Sequence, residues 1–264
     1  MRNKILSMKH NILLGAIAGD VIWSTYEYSP VCKKDFDLFG DHSRYSVDSI
    51  FTVAIAEWLL NGGSLKSIMQ KHGSRYIGET YCNWLTCMEP KAYGSLVGHP
   101  AMRVSPIGWA FDSLAETLEV AEQSTVVTHN HPEDIKGTQA TAVSIFMART
   151  GWSKKEIKIA IEEIFGYDLS KTCDELRPSN TDEKTFKRAV PDSIIAFLES
   201  TDFEDAIRLS VLHSGHTDTA GAIAGAIAEA YYKEIPEHIV TGVLKRLPDE
   251  FKEVMEKFYE KFYR

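Results

Sequence analysis

Three short segments gather hydroxyl, imidazole and carboxylate side chains: Arg44-Tyr45-Ser46-Val47-Asp48-Ser49, Thr128-His129-Asn130-His131-Pro132-Glu133, and Ser214-Gly215-His216-Thr217-Asp218-Thr219. Carboxylates beside Ser or Thr hydroxyls suit a hard cation such as magnesium, which takes oxygen ligands. Histidines suit borderline metals such as zinc, manganese or iron, or contacts to phosphate. A lone carboxylate in Ser24-Thr25-Tyr26-Glu27, beyond Asp20, has the chemistry of a general base or a substrate-gating acid. Each segment also has a plainer reading. Asp48, Asp218 and the neighbouring hydroxyls suit helix N-caps, whose oxygens accept first-turn amide protons. A single histidine suits a structural contact, and Glu27 an exposed loop. Three such segments in one chain, two of them with histidines, point to a composite site.

The elements that would position these residues are helices. Apolar residues recur at helical spacing over 12–23, 50–60, 65–76, 107–121, 139–150, 154–165, 185–198, 203–212, 220–232 and 250–262, and long alternating stretches are absent. The expected class is therefore all-α, with many helices joined by loops in one compact multi-helix domain over residues 1–264. The longest irregular segments fall at 29–45, 87–106, 124–136 and 170–181. The word Gly15-Ala16-Ile17-Ala18-Gly19 returns as Gly221-Ala222-Ile223-Ala224-Gly225. Glycines four apart share a helix face, which predicts a close crossing of these two helices at the centre. That crossing brings both ends of the chain to one cleft, with the polar residues before Ala220 at its mouth.

Composition narrows the function. The 264 residues carry 29 Lys and Arg against 37 Asp and Glu, a net charge of −8, which argues against a broad nucleic-acid or anionic-membrane surface. No apolar run reaches the ~18 residues of a membrane span, and the first ten residues lack a signal-peptide core, so the chain reads as cytoplasmic. Cys32, Cys82, Cys87 and Cys173 form no Cys-x-x-Cys pair, which points to free thiols rather than a disulfide framework or a thiolate zinc site. The phosphate loop, the dinucleotide fingerprint, His-Glu-x-x-His and the Gly-x-Ser-x-Gly elbow are all missing.

From about Asn11 to Tyr232 the chain resembles the ADP-ribosylglycohydrolase family. The likeness is carried by Gly15-Ala16-Ile17-Ala18-Gly19-Asp20 with Tyr26-Glu27, by Ser43-Arg44-Tyr45 leading into Asp48, and by Ala101-Met102-Arg103-Val104-Ser105-Pro106-Ile107-Gly108-Trp109. It continues through His129-Asn130-His131-Pro132-Glu133 with Ile135-Lys136-Gly137, and ends in Thr217-Asp218-Thr219. The resemblance implies an all-α domain whose cleft holds ADP-ribose beside two magnesium ions. It assigns Ser46, Asp48, Asp218 and Thr219 to metal and water. Glu27 would position the scissile group or act as base, and His131 would contact ribose or diphosphate. The implied partner is an ADP-ribosylated protein or an ADP-ribose-like small molecule.

The ligand words depart from the family while the scaffold words hold. Where the family reads Thr-Asp-Asp-Thr the chain has Ser46-Val47-Asp48-Ser49, and where it reads Gly-Asp-Thr-Asp-Thr the chain has Gly215-His216-Thr217-Asp218-Thr219. Each half of the metal site has lost an acid. The diphosphate loop Gly-Asn-Gly-Ser-Ala-Met-Arg becomes Val97-Gly98-His99-Pro100-Ala101-Met102-Arg103, and proline brings no backbone donor. Two readings follow. One is a hydrolase that releases ADP-ribose or a related ribosyl group, with His99, Met102 and Gly215 on the substrate and His216 joining the metal ligands, for magnesium or another divalent ion. The other is a non-catalytic member that keeps the cleft to bind a nucleotide-like ligand or a protein.

Overall fold

The computed structural model describes residues 12–26, 31–76, 83–87, 92, 100–176, 184–213 and 218–263. In chain order the helices are α1 (Leu14–Trp23), α2 (Val47–Asn61), α3 (Leu65–Tyr76), α4 (Asn83–Thr86), α5 (Ser105–Ala110), α6 (Leu114–Val126) and α7 (Pro132–Arg149). They continue as α8 (Lys154–Phe165), α9 (Lys184–Glu199), α10 (Phe203–His213), α11 (Asp218–Tyr232), α12 (Glu237–Leu244) and α13 (Asp249–Phe262), with 3-10 turns at Ala101–Arg103 and Cys173–Leu176. Among the described residues there is no β-strand, as an all-α reading requires. No described helix is long and apolar enough to cross a membrane.

The two glycine words meet as their spacing predicts. α1 and α11 cross antiparallel, with Gly15 against Gly225 and Gly19 against Gly221. The approach is so close that a Cβ on Gly19 would fall 1.9 Å from the Gly221 carbonyl oxygen, and one on Gly225 would fall 2.2 Å from that of Gly15. Only glycine fits at such a backbone contact. Every residue of α1 is buried, and α7, α9 and α10 pack around α11 to complete the centre. The apolar core runs without a break from Ile12 to Phe258.

A buried acid secures the crossing. Glu229 of α11, one turn beyond Gly225, has its Oε2 3.1 Å from the Leu13 amide nitrogen, which donates to it. α1 has no side-chain cap of its own, since its N-cap residue Leu13, at φ 84 in the left-handed region, carries no acceptor atom. Glu229 therefore supplies from another helix the acceptor that an N-cap side chain normally provides.

The outer helices follow local rules. Ser153 and Glu156 form a full capping box at the start of α8, which stops at Gly166 with φ 65. α13 buries Phe251, Met255 and Phe258, at i, i+4 and i+7, on one face. Four boundaries differ from the sequence expectation. The single helix expected over 107–121 is two helices, because Phe111 turns extended (φ −116, ψ 147) and Ser113 starts α6 by accepting from the Glu116 amide. Arg149 holds that break, donating from Nε to the Gly108 carbonyl at 2.9 Å and from Nη2 to the Phe111 carbonyl. The loop expected over 124–136 shrinks because α6 runs to Val126 and Pro132 opens α7. In the same way α5 begins inside the loop expected over 87–106, and Glu237–Leu244 is a helix where none was expected.

Candidate active site

The antiparallel crossing sets the first turn of α11 beside the last turn of α1, so that Gly221 lies against Gly19, next to Asp20. Asp20 is wholly buried inside α1, and its side chain reaches the start of α2. Its Oδ2 accepts from the Ser46 amide at 2.8 Å, from the Ser49 amide at 3.2 Å and from the Ser49 hydroxyl. Amide donors at a helix N-terminus lack partners within their own helix, so a carboxylate that takes two of them fixes where the helix begins. Ser46 adds the local cap, its Oγ accepting from the Asp48 amide at 3.2 Å.

Held in this way, Asp48 places a carboxylate on the first turn of α2 in a position only 1% exposed. Its backbone carbonyl accepts from the Thr52 hydroxyl at 2.7 Å. Val47, beside it, is half-buried and carries no donor atom.

The third element is the 3-10 turn Ala101–Arg103, which packs against α2, α7 and α11. Thr219, buried on the first turn of α11, donates its hydroxyl to the Met102 sulfur at 3.8 Å. Arg103 is 2% exposed and acts as a hub: its Nη2 donates to the Ser124 carbonyl at 3.2 Å and to the Thr128 hydroxyl at 2.6 Å. Its guanidinium stands 5.7 Å over the Phe51 ring of α2. A buried arginine fixed on carbonyl, hydroxyl and ring at once ties the turn to the end of α6, to Thr128 and to α2. Buried His129 extends the hub, its Nδ1 lying 2.8 Å from the Thr128 hydroxyl.

Two residues on, His131 is the N-cap of α7, and its Nδ1 accepts from the Glu133 amide at 3.2 Å. That bond needs a lone pair on Nδ1, which places the ring proton of the neutral imidazole on Nε2, the nitrogen left for a ligand. The capping role and the substrate role read from the sequence are compatible.

Ser46, Asp48, Met102 and Thr219 thus belong to three elements that pack together. Glu27, His99, Gly215 and His216 lie outside the described residues, as does the side chain of Asp218, whose backbone opens α11. Among the described residues no group of three or more His, Cys, Asp or Glu is arranged to hold a metal ion. The described donors, one carboxylate with the Ser46 and Thr219 hydroxyls, do not by themselves make a cage for two magnesium ions, which need several anionic oxygens to offset dehydration. Sequence reasoning missed the tasks of Asp20, Arg103 and Glu229. A signal existed for the acids: each is the one charged residue of an otherwise apolar helix face, a placement that calls for a buried partner.

Comparisons with known proteins agree with this architecture. A sequence profile of the ADP-ribosylglycohydrolase family matches residues 2–264. A solved structure described as an ADP-ribosylglycohydrolase-related protein complex superposes with a TM-score of 0.73 over 99% of both chains at 22% identity, a likeness of fold. An uncharacterized protein of Archaeoglobus fulgidus is 28% identical over 176 residues, or 61% of this chain and 57% of that relative's length. With the family pattern running from end to end over an all-α fold of the same kind, the chain belongs to the ADP-ribosylglycohydrolase family.

Proposed function

We propose that the cleft between α2, α11 and the Ala101–Arg103 turn binds an ADP-ribosyl group and hydrolyses the bond at its anomeric carbon. The observation that supports this reading is Asp48, a carboxylate buried on a helix start that Asp20 and Ser46 fix from two sides. Cleavage at an anomeric carbon develops positive charge on the ribose ring, which a buried carboxylate offsets. Asp48 also accepts a proton from the attacking water. The water oxygen then bonds to the anomeric carbon as the bond to the modified residue breaks, and that proton passes to the leaving group. Glu27 is the second carboxylate in this reading and positions the scissile group. His131 reaches the ribose or diphosphate through Nε2, with Met102 lining the cleft.

Magnesium enters the family's chemistry, yet Val47 and His216 stand where two of its carboxylates are expected, and the described donors do not fit a magnesium pair. No step here depends on that pair. The test is release of ADP-ribose from arginine-, serine- and nucleic-acid-linked substrates. The expected result is turnover on at least one, lowered about 100-fold or more in Asp48→Asn. Absence of turnover on all three overturns hydrolysis.

The apolar Val47 side chain on the first turn of α2 favours a second reading, a ligand-binding member without turnover. Calorimetry with ADP-ribose separates the two: saturable binding without release of ADP-ribose from any substrate supports the binding module, and absence of binding overturns both.

A further inference from the structure

A groove of about 400 Å³ opens between the first turns of α8, the end of α9 and the segment after Gly166, sharing no residue with the candidate active site. Lys154, Lys155, Lys158 and Lys171 line it, with Glu199 as its one carboxylate and Leu169, Ile195 and Leu198 as its floor. In a chain with eight more acids than bases, this concentration of cations is a local reversal of sign.

The lysines divide by task. Lys154 is anchored, its Nζ donating to the Leu198 carbonyl at 3.2 Å, the Tyr232 hydroxyl at 2.9 Å and the Ser200 carbonyl. It ties the start of α8 to the end of α9, where a cation meets the negative end of the helix dipole. Partial burial lowers its ammonium to about 8, so it remains charged at neutral pH. Lys155, Lys158 and Lys171 make no ion pair within 4 Å among the described residues.

The nearby acceptors are already engaged by the backbone. The Asp168 carboxylate accepts from the Ser170 amide at 3.0 Å and from its hydroxyl, and Glu175 takes the Thr172 amide at 2.8 Å. Glu199 accepts from the Cys173 amide at 3.1 Å. Lys158 and Lys171 also feel the Asp168 charge, and Lys171 those of Glu175 and Asp192, so the surrounding acids offset part of the lysine charge. The lining itself still holds four lysines against one carboxylate, a balance that favours an anion between them.

We infer that this groove is a binding site for a small, multiply charged phosphate ligand, held by Lys155, Lys158 and Lys171 over the anchored Lys154. Its size suits a chain of two or three phosphates, and facing lysines from α8 and the Ser170–Thr172 segment grip such a chain from both sides.

The test is calorimetric titration of inorganic tripolyphosphate into the full chain, beside the triple variant Lys155→Ala, Lys158→Ala, Lys171→Ala and beside Asp48→Asn. A parallel arm offers vesicles bearing phosphorylated lipid headgroups. The expected result is one saturable site, weakened about 10-fold or more in the triple variant, unchanged in Asp48→Asn, and weakened by added salt. These lysines are on the surface, so the triple variant should keep the wild-type circular dichroism and melting point, which is checked first. Absence of saturable binding, equal affinity in the triple variant, loss of affinity in Asp48→Asn, or binding to vesicles alone would each overturn the inference. Because the groove and the Asp48 cleft share no residue, failure here leaves the proposed hydrolysis untouched.

Discussion

Asp20 and Glu229 do similar work on the two sides of the glycine crossing, and the difference between them separates what holds the fold from what prepares the site. Each is a buried acid that reaches out of its own helix to take backbone amide protons at the start of another. At α1, Glu229 stands in for an N-cap side chain that Leu13 does not provide. At α2 the start is held twice, by Asp20 and by the Ser46 hydroxyl, and the residue so fixed is itself an acid, Asp48. A helix start needs one good cap for stability. A doubly held start gives positional precision, which a catalytic carboxylate requires and a structural one does not.

The largest expected effect comes from removing the crossing on which both clamps depend. In Gly19→Ala the new methyl would sit 1.9 Å from the Gly221 carbonyl oxygen, against backbone that cannot rotate aside. The expected loss is at least about 3 kcal/mol, read as a collapsed melting transition or as insoluble expression. A variant melting near the wild type would show that α1 and α11 separate easily and that neither clamp depends on their contact.

Glu229 is tested next, through pH. Burial pushes its carboxyl up to about 8, against the opposing pull of the Gly15, Leu13 and Leu14 amides. The folded protein then holds this proton up to about pH 8, whereas the unfolded chain releases it near 4.5, the ordinary value of a glutamate. Between those two values the folded state binds more protons, so this group's contribution is complete below 4.5 and is lost as pH rises toward 8. The fall amounts to several kcal/mol, on the order of one per pKa unit. Glu229→Gln, which does not titrate, should flatten that slope, as measured by denaturant unfolding at several pH values for both proteins. A wild-type slope of opposite sign relative to the variant would mean that the amide donors outweigh burial and that the clamp works as a carboxylate.

Asp20→Ala should be milder, because Ser46 still caps α2. The expected cost is about 2 to 3 kcal/mol for the stranded amide and hydroxyl donors. Turnover or ADP-ribose affinity should fall with it, because the start of α2 that carries Asp48 is held less firmly. Asp20→Asn, which keeps an acceptor oxygen, should recover most of the stability. If Asp20→Ala lowered stability and left ligand affinity and turnover intact, the double hold on α2 would be structural only, and the contrast with Glu229 would vanish.

This contrast also marks how far the sequence could be read. The paired glycine words carried the central crossing, because close approach of two helices leaves a direct mark in residue size. The helices with caps and regular apolar spacing were legible for a similar reason. Glu237–Leu244 was not, since eight residues are too short for a period to emerge. The break at Phe111 escaped although Ser113 and Glu116 hold the spacing of a helix start, because the apolar pattern runs across it. The capping role open to Ser46 was legible from its type and position, and the structure has its hydroxyl accept from the Asp48 amide. The task of Asp20 could not be inferred because its partners lie 26 and 29 positions away. Contacts set by tertiary packing leave no local pattern, and that is also why the Arg103 hub was missed.

The smallest expected change in stability comes from Val47→Asp, and it probes the site most directly. Val47 is the first residue of α2 and is half-buried, so an acid there gains from the helix N-terminus while standing beside Asp48. These effects oppose each other and should leave stability within about 1 kcal/mol of the wild type. Divalent binding should respond far more, because a second carboxylate on this turn supplies the charge that magnesium needs to shed water. Calorimetry with magnesium alone should show a gain of at least about 10-fold, and His216→Asp combined with it a further gain if the two helix starts face one cation. A gain from Val47→Asp with no gain in turnover would show that charge on this turn is not what limits turnover. No gain at all would mean that the first turn of α2 is not where a cation sits. Asp48 would then act on the ribosyl group without one, and the double hold that Asp20 and Ser46 give it would be what the chemistry uses.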